Sequence, residues 1–315
     1  MTDRPVPLSR RTLIASAGLI ALAACRKGAD AQKGTLYAGD QKGGSKVVLG
    51  AAGKLKDLPY RIEWSAFPNA APLLEALNAG AIDTGIGGDA AFIFAIGTGA
   101  TIKAIGAQKY DGVGPVLVVA RDSPIRSIKD IAGKRIATPR GSIAHNFILA
   151  ALEAQGRPLN AVHFAFLSPQ DGQAALQGGS VDGWAIWDPN AALAEKDGAR
   201  IIRADGLVPS YALLFGRDGA IADKRPLLQD YARRLYAGWD WAVAHPDTYA
   251  TLLHDETGIP TDVWRTVTGR TKRTGIPIDV TLIADQQKTA DRYLRAGLIE
   301  KPVDVRKGFD ASFTA

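Results

Sequence analysis

Arg135-Ile136-Ala137-Thr138-Pro139-Arg140-Gly141-Ser142-Ile143-Ala144-His145-Asn146 reads as a short apolar strand, a glycine-serine turn and the opening of a helix that runs to about Gln155. The first N–H groups of a helix have no backbone acceptor, and the helix dipole adds positive potential there. Such a junction can hold an oxyanion without a buried lysine. A plain N-cap by Ser142 accounts for the same residues, so the surrounding chain has to decide between the two readings.

The same strand, glycine turn and helix recur on either side. Gly34–Gly39 leads into Asp40-Gln41-Lys42-Gly43-Gly44-Ser45 and a short helix. Ile82–Ile86 runs through Gly87-Gly88-Asp89 into a helix over Ala90–Ile96. Val181–Trp187 passes through Asp188-Pro189-Asn190 into a helix over Ala191–Lys196, with Asp188 read as its N-cap and Pro189 in its first turn. Between these lie strand patterns at Tyr60–Trp64, Thr101–Gln108, Val116–Ala120, Val162–Leu167 and Ile201–Arg203, and helices at Ala70–Ala79 and Pro169–Gln177. The series predicts an α/β fold. A return segment at Tyr211–Gly216 precedes helices over Lys224–Ala244, Pro246–Thr257, Thr261–Thr268 and Thr281–Ala296. In the first of these Leu227, Leu228, Tyr231, Leu235, Trp239 and Val243 recur at helical spacing, as core residues do. Taking Ala120–Ser123 as the first crossing gives one lobe from residues 34–120 plus 217–315 and a second from 121–216. Ligands of α/β sheets sit beyond the carboxyl ends of the strands, so the four junctions, two from each lobe, are expected to face one cleft.

The chain has 315 residues, 46% of them hydrophobic, more than one core usually accommodates. The 38 Lys and Arg are interleaved with 32 Asp and Glu, with no basic stripe or aromatic-basic motif, which argues against nucleic acid as a partner. Residues 1–33 read as a signal and tether. Arg10-Arg11 before Leu13-Ile14 and the small apolar run Ala15–Ala24 resemble a twin-arginine export signal, with a general export signal as the alternative, and the run is too short to remain as a membrane span. Leu22-Ala23-Ala24-Cys25 resembles a lipobox in which Cys25 is acylated; cleavage after Ala29-Asp30-Ala31 is the other option. Cys25 is the only cysteine, so no internal disulfide is possible. The chain after residue 24 carries a formal charge of about +4, a mild bias toward anions.

Gln41-Lys42-Gly43, Leu74-Glu75-Ala76-Leu77-Asn78, Gly88-Asp89, Gly141-Ser142 with His145-Asn146, Leu167-Ser168-Pro169 and above all Asp182-Gly183-Trp184-Ala185-Ile186-Trp187-Asp188-Pro189 resemble the periplasmic alkanesulfonate-binding proteins of ABC importers. The likeness runs from about Gly34 to the C-terminus and includes Asp285–Asp291. It implies a two-lobed periplasmic binding protein type II fold with two crossover strands, a monomer that delivers a small organic anion to a permease and its ATPase, and no cofactor. It further implies that Gln41, Gly43 and Gly44 hold part of the anion with Gly88 and Asp89 beside them. Gly141 and Ser142 would donate from the other lobe, with His145 one turn further in, Trp187 as an apolar wall and Asp188 at the rim. His145 is equally readable as a structural histidine, Trp184 as core and Arg140 as solvated. Ile143 and Ala144 stand where relatives often carry hydroxyls, Gly87 where Ser or Thr is frequent, Gly44-Ser45 where a hydroxyl often comes first, and Asn190 in place of a usual Tyr. Fewer donors and smaller side chains predict a roomier pocket suited to a bulkier organosulfur anion.

Other functions have weaker support in the residues. A sulfinate desulfinase on this fold needs a nucleophilic cysteine, which the chain after Cys25 lacks. Ser142 with His145 has no identified orienting carboxylate. His145, His163, His245 and His254 show no metal-ligand spacing. Nitrate, bicarbonate or a thiamine-pyrimidine precursor is the alternative ligand class.

Overall fold

The computed structural model describes residues 34–313; the readings of the export signal, of Cys25 and of the tether lie outside them. Two sheets organise the chain. The first has six strands: β1 (Thr35–Gln41), β2 (Arg61–Phe67), β3 (Thr84–Gly88), β4 (Ile102–Gly112), β10 (Tyr211–Arg217) and β11 (Thr271–Ile276), in the order β11-β4-β10-β3-β1-β2. The second has five: β5 (Val116–Val119), β6 (Arg135–Thr138), β7 (His163–Phe166), β8 (Gly183–Ile186) and β9 (Arg200–Ile202), in the order β7-β6-β8-β5-β9. The helices between them are α1 (Ser45–Ala51), α2 (Ala70–Asn78), α3 (Asp89–Gly97), α4 (Ile143–Ala154), α5 (Pro169–Gln177) and α6 (Asn190–Lys196). After β10 come α7 (Asp218–Asp223), α8 (Arg225–Ala244), α9 (Pro246–Thr257), α10 (Thr261–Arg270) and α11 (Val280–Arg295). No helix among the described residues is long and apolar enough to cross a membrane.

The expected strand-to-helix series is present, but the crossings lie elsewhere. Val116–Val119 pairs antiparallel with β8 and β9, so the chain has already left the first sheet between Gly112 and Val116 rather than at Ala120–Ser123. Tyr211–Gly216 is no linker: it is inserted between β3 and β4, antiparallel to both. The return crossing is therefore the segment 203–210, and the first sheet is assembled from residues 35–112 and 211–276. β11 is an edge strand that the sequence did not announce, because Thr271-Lys272-Arg273-Thr274-Gly275 is polar and half exposed. It pairs with β4 in register from Thr271 opposite Gly112 to Ile276 opposite Ala107.

Both faces of each sheet are covered, which is why the central strands read as unbroken apolar runs. One face of the six-stranded sheet packs Leu36 and Leu214 against Leu228, Tyr231, Leu235 and Trp239 of α8. Val243, at the far end of the α8 stripe, is 43% exposed and outside that core. The opposite face packs Leu73, Leu77, Phe92, Phe215 and Tyr293, and Leu149 of the second lobe joins this cluster. In the second lobe α4 fills one face with Phe147, Ile148 and Leu152, while Trp184, wholly buried as the sequence suggested, centres the other. A fully buried side chain of this size contributes about 1.5–3 kcal/mol relative to exposure. At the amino end of β3, remote from the strand ends that face the cleft, buried Asp83 accepts from Arg217, Lys224 and the Tyr37 amide at 2.6, 2.6 and 3.0 Å. That network ties β1, β10 and the start of α8 together.

Candidate functional site

The turn between β6 and α4 is built by constraints from three directions. Gly141 has φ of +69°, a conformation side-chain-bearing residues rarely adopt, and a Cβ there would lie 2.5 Å from Phe94 of α3. Its N–H donates to Nδ1 of His145 at 3.2 Å. The Tyr293 hydroxyl, from α11, reaches the carbonyls of Gly141 and Ser142 at 3.0 and 3.2 Å. Ser142 caps α4, its Oγ accepting from the His145 N–H at 3.2 Å, and its own N–H is taken by Pro139. Ser142 is an N-cap, and the cap leaves the Ile143 and Ala144 N–H groups and the Ser142 hydroxyl proton without an acceptor among the described residues. The Gly141 amide, expected to face an anion, is committed to His145.

His145 is 1% exposed and lies edge-on to Phe164 and Phe166. Burial, and then the Arg140 charge, push its pKa down to about 3, so the ring is neutral at any physiological pH. Because Nδ1 accepts, the proton sits on Nε2. Its observed role is to brace the turn.

The first-lobe junctions carry carboxylates of their own. At the β1–α1 turn Asp40 accepts the Ser45 and Lys46 amides at 2.6 and 3.2 Å, and the Gly44 N–H closes on the Gln41 carbonyl at 2.8 Å. The Gly44 amide that the sequence assigned to a ligand is therefore spent inside the protein. Gly43, at φ +78°, lies under Leu253, Thr257 and Trp264. Gln41 pins the end of β1 to β3 through Nε2 and the Ile86 carbonyl, 2.9 Å. Burial lifts Asp40 to about 6 in spite of its amide bonds. An acid five residues ahead of the first helical residue was the available signal, and the sequence reading passed over it.

At the β3–α3 junction, Gly88 has open space where a Cβ would stand. Asp89 is 2% exposed; Oδ1 accepts the Ala90 N–H and Oδ2 accepts Nε2 of Gln286, both at 2.8 Å. Burial, helped by nearby Asp285, raises it to about 7. At the β8–α6 junction Trp187 is half buried between the two cores of its lobe. Asp188 is not the N-cap residue, which is Pro189, although its carboxylate accepts the Ala192 N–H at 3.1 Å. Its main partner comes from the other lobe. Arg270, at the end of α10, donates Nε to Oδ2 at 2.8 Å and Nη2 to Oδ1, while Nη1 reaches Glu195 at 2.9 Å.

The four junctions are joined indirectly. Gln41 meets the end of β3, Gly141 meets α3 through Phe94, and α10 connects Gly43, through Trp264, with Asp188, through Arg270. Residues missed by sequence reasoning are the bracing ones, Tyr293, Gln286 and Arg270, together with two orphans. Thr138 Oγ1, on the last residue of β6, and both amide atoms of Gln108 on β4 are buried without a partner among the described residues. Gln108 lies level with Gly88 across β10, both pairing with Ala212. Buried polar atoms are rarely left unpaired unless water or a ligand completes them. Among the described residues no three metal-ligating side chains are grouped to hold an ion.

The chain is similar to proteins of known family and structure. Residues 65–249 match the family model described as NMT1/THI5 like. A protein of Escherichia coli (strain K12) named for the binding of aliphatic sulfonates is 31% identical over 301 residues, which is 93% of this chain and 94% of that protein. The alkanesulfonate-binding protein SsuA from Xanthomonas axonopodis pv. citri, solved bound to MOPS, superposes with a TM-score of 0.82 at 30% identity, over 88% of this chain and 98% of that one. The periplasmic aliphatic sulphonate binding protein SsuA from Escherichia coli gives 0.76 at 30% identity, over 87% and 96%.

Proposed function

The chain belongs to the NMT1/THI5-like family, and from that premise we propose that it is the substrate-binding component of an ABC importer, holding a sulfonate or related organosulfur anion between its lobes. The observation that carries this reading is the α4 terminus. The Ile143 and Ala144 amides and the Ser142 hydroxyl are unspent donors on a turn that Phe94 and Tyr293, from the first lobe, hold in place. Three convergent donors suit the oxygens of a tetrahedral head group. Trp187 supplies an apolar wall for the organic part. Gly88, open above its backbone, and the orphan Gln108 amide and Thr138 hydroxyl are the groups we assign to complete the head-group shell. Asp188, paired with Arg270, lies at the rim, Asp89 is buried at the β3–α3 junction against Gln286, and Asp40 fills the α1 terminus in place of a ligand.

The chain works by binding and release rather than by turnover, with a membrane permease and its ATPase as partners. It acts in the periplasm, delivered by the Arg10-Arg11 signal and tethered through Cys25. Hydroxyl-poor Ile143-Ala144 leaves space for an anion bulkier than a short alkanesulfonate. Calorimetry of the chain from residue 26 onward against alkyl and aryl sulfonates, sulfate esters, nitrate and thiamine-pyrimidine precursors tests the proposal. Tight heat with an organosulfur anion supports it; tight binding of nitrate or of a pyrimidine, with no sulfur anion bound, refutes it. Mass analysis of each mixture after incubation should return the anion unchanged.

A further inference from the structure

A groove of about 980 Å³ runs along the second lobe, starting beside the β6–α4 turn at Arg140 and reaching the end of α11. One wall is the stripe of α4 that presents His145, Leu149 and Glu153; another is the edge strand β7; the third is the turn that ends α11, at Leu298. Phe164 and Phe166 project from β7 as a stacked pair, centroids 5.7 Å apart and planes 10° from parallel. Phe166 is 43% exposed, one of the few large apolar side chains on the surface. The Arg140 guanidinium stands 5.4 Å from the Phe166 ring centre.

The charges of this groove are unbalanced. Its acid, Glu153, is already held by Arg292 at 2.6 Å and by Arg295 at 2.5 Å. Arg140 and Arg157, both in its lining, have no carboxylate partner among the described residues. His145, almost wholly buried, accepts through Nδ1 and therefore offers its Nε2 proton, which has no acceptor among the described residues, from the wall it forms.

We propose that this groove, which shares none of the residues assigned to the head group, is a second ligand site beside the cleft that takes an aromatic anion of the arylcarboxylate class. The aryl ring lies against the Phe164–Phe166 pair, a surface that favours offset or edge contacts with another ring. The carboxylate meets Arg140, whose guanidinium already lies above the same aromatic surface. His145 contributes a donor from beneath. Because the α11 turn forms the third wall, an occupant touches elements of both lobes.

The probe is 2-naphthoate, titrated by calorimetry into the chain from residue 26 onward. Wild type should bind it, and 2-naphthamide, which has the same ring and no charge, should bind at least tenfold more weakly. Phe166→Ala and Arg140→Gln alter exposed side chains, and thermal unfolding of each variant checks that the fold is intact. Each variant should weaken 2-naphthoate roughly tenfold, the scale of one aromatic or charge-assisted contact. An alkanesulfonate added in excess should leave naphthoate binding in place. The proposal is overturned if wild type gives no binding, if either folded variant binds as tightly as wild type, if the amide matches the acid, or if the alkanesulfonate displaces naphthoate competitively.

Discussion

Replacing Arg270 by Gln should open the lobes and weaken the cleft ligand. In the present structure Arg270 spans them, two of its nitrogens on Asp188 and a third on Glu195. The Asp188 side chain is 10% exposed and that of Arg270 20%, whereas Glu195 is 49% exposed and its bond is largely screened. After the substitution Asp188 keeps only the Ala192 N–H as a donor. Removing one partner of a fully buried pair costs about 3–5 kcal/mol and an exposed pair is worth about 0–1 kcal/mol; this geometry lies between, at about 2 kcal/mol. Because the contact joins the two lobes, that energy is lost mainly from the closed arrangement, so ligand affinity should fall by roughly tenfold to thirtyfold. Two uncompensated carboxylates beside an anion act in the same direction, and more strongly at low ionic strength. The assay is calorimetry with the best organosulfur ligand at low and high salt, for Arg270→Gln, Asp188→Asn and the double variant. Asp188→Asn in the Arg270→Gln background should recover part of the lost affinity. Wild-type affinity for Arg270→Gln at low salt, or a double variant no better than Arg270→Gln alone, would refute the reasoning.

Ser142→Ala should cost the anion about 1–2 kcal/mol if the hydroxyl donates to it, and the lost cap should also lower the unfolding free energy by about 1 kcal/mol; a stability loss with unchanged affinity would reduce Ser142 to a cap. Asp89, lifted to about 7 by burial, holds its proton in the folded chain while the unfolded chain has already lost it. Between about pH 4 and pH 7 the folded state therefore binds more protons, and stability falls as pH rises through that window. Asp89→Asn should flatten this slope in a thermal-unfolding series and raise anion affinity most above pH 7, where the wild-type carboxylate is charged; an unchanged slope counts against the assignment. Asp83→Ala removes the acceptor shared by Arg217, Lys224 and the Tyr37 amide, and should destabilise the fold by about 3–5 kcal/mol, read by urea denaturation. A loss under 1 kcal/mol would show that solvent replaces the carboxylate.

Local pattern carried the alternation of strands and helices, because glycine turns and apolar runs are short-range signals. It could not reveal which sheet a buried run joins. Val116-Leu117-Val118-Val119 is equally apolar in either lobe, and only its pairing with β8 and β9 settles the matter. Tyr211–Gly216 was visible as an extended segment, but its insertion between β3 and β4 depends on contacts with residues more than 100 positions away. The site shows the same division. Gly141-Ser142 and Asp188 were marked by their residue types, yet the sequence could not tell how each donor is spent. The Gly141 amide goes to His145 and the Ser45 amide to Asp40, while Asp188 is answered by an arginine 82 residues further on.

The placement of β10 also bears on how the molecule is made. Everything between β4 and residue 203 belongs to the second lobe and is contiguous, so that lobe can collect its five strands as soon as they have emerged from the ribosome. The first lobe cannot. Until residues 211–217 arrive, β3 and β4 lack the strand that separates them, and their unpaired edges stay open for the synthesis of about 100 further residues. Such long-range closure is slow and leaves strand edges exposed to aggregation. A nascent chain of which residues up to 203 have emerged would therefore present a finished second lobe beside an unfinished first one, and the first lobe is where a holding chaperone would bind.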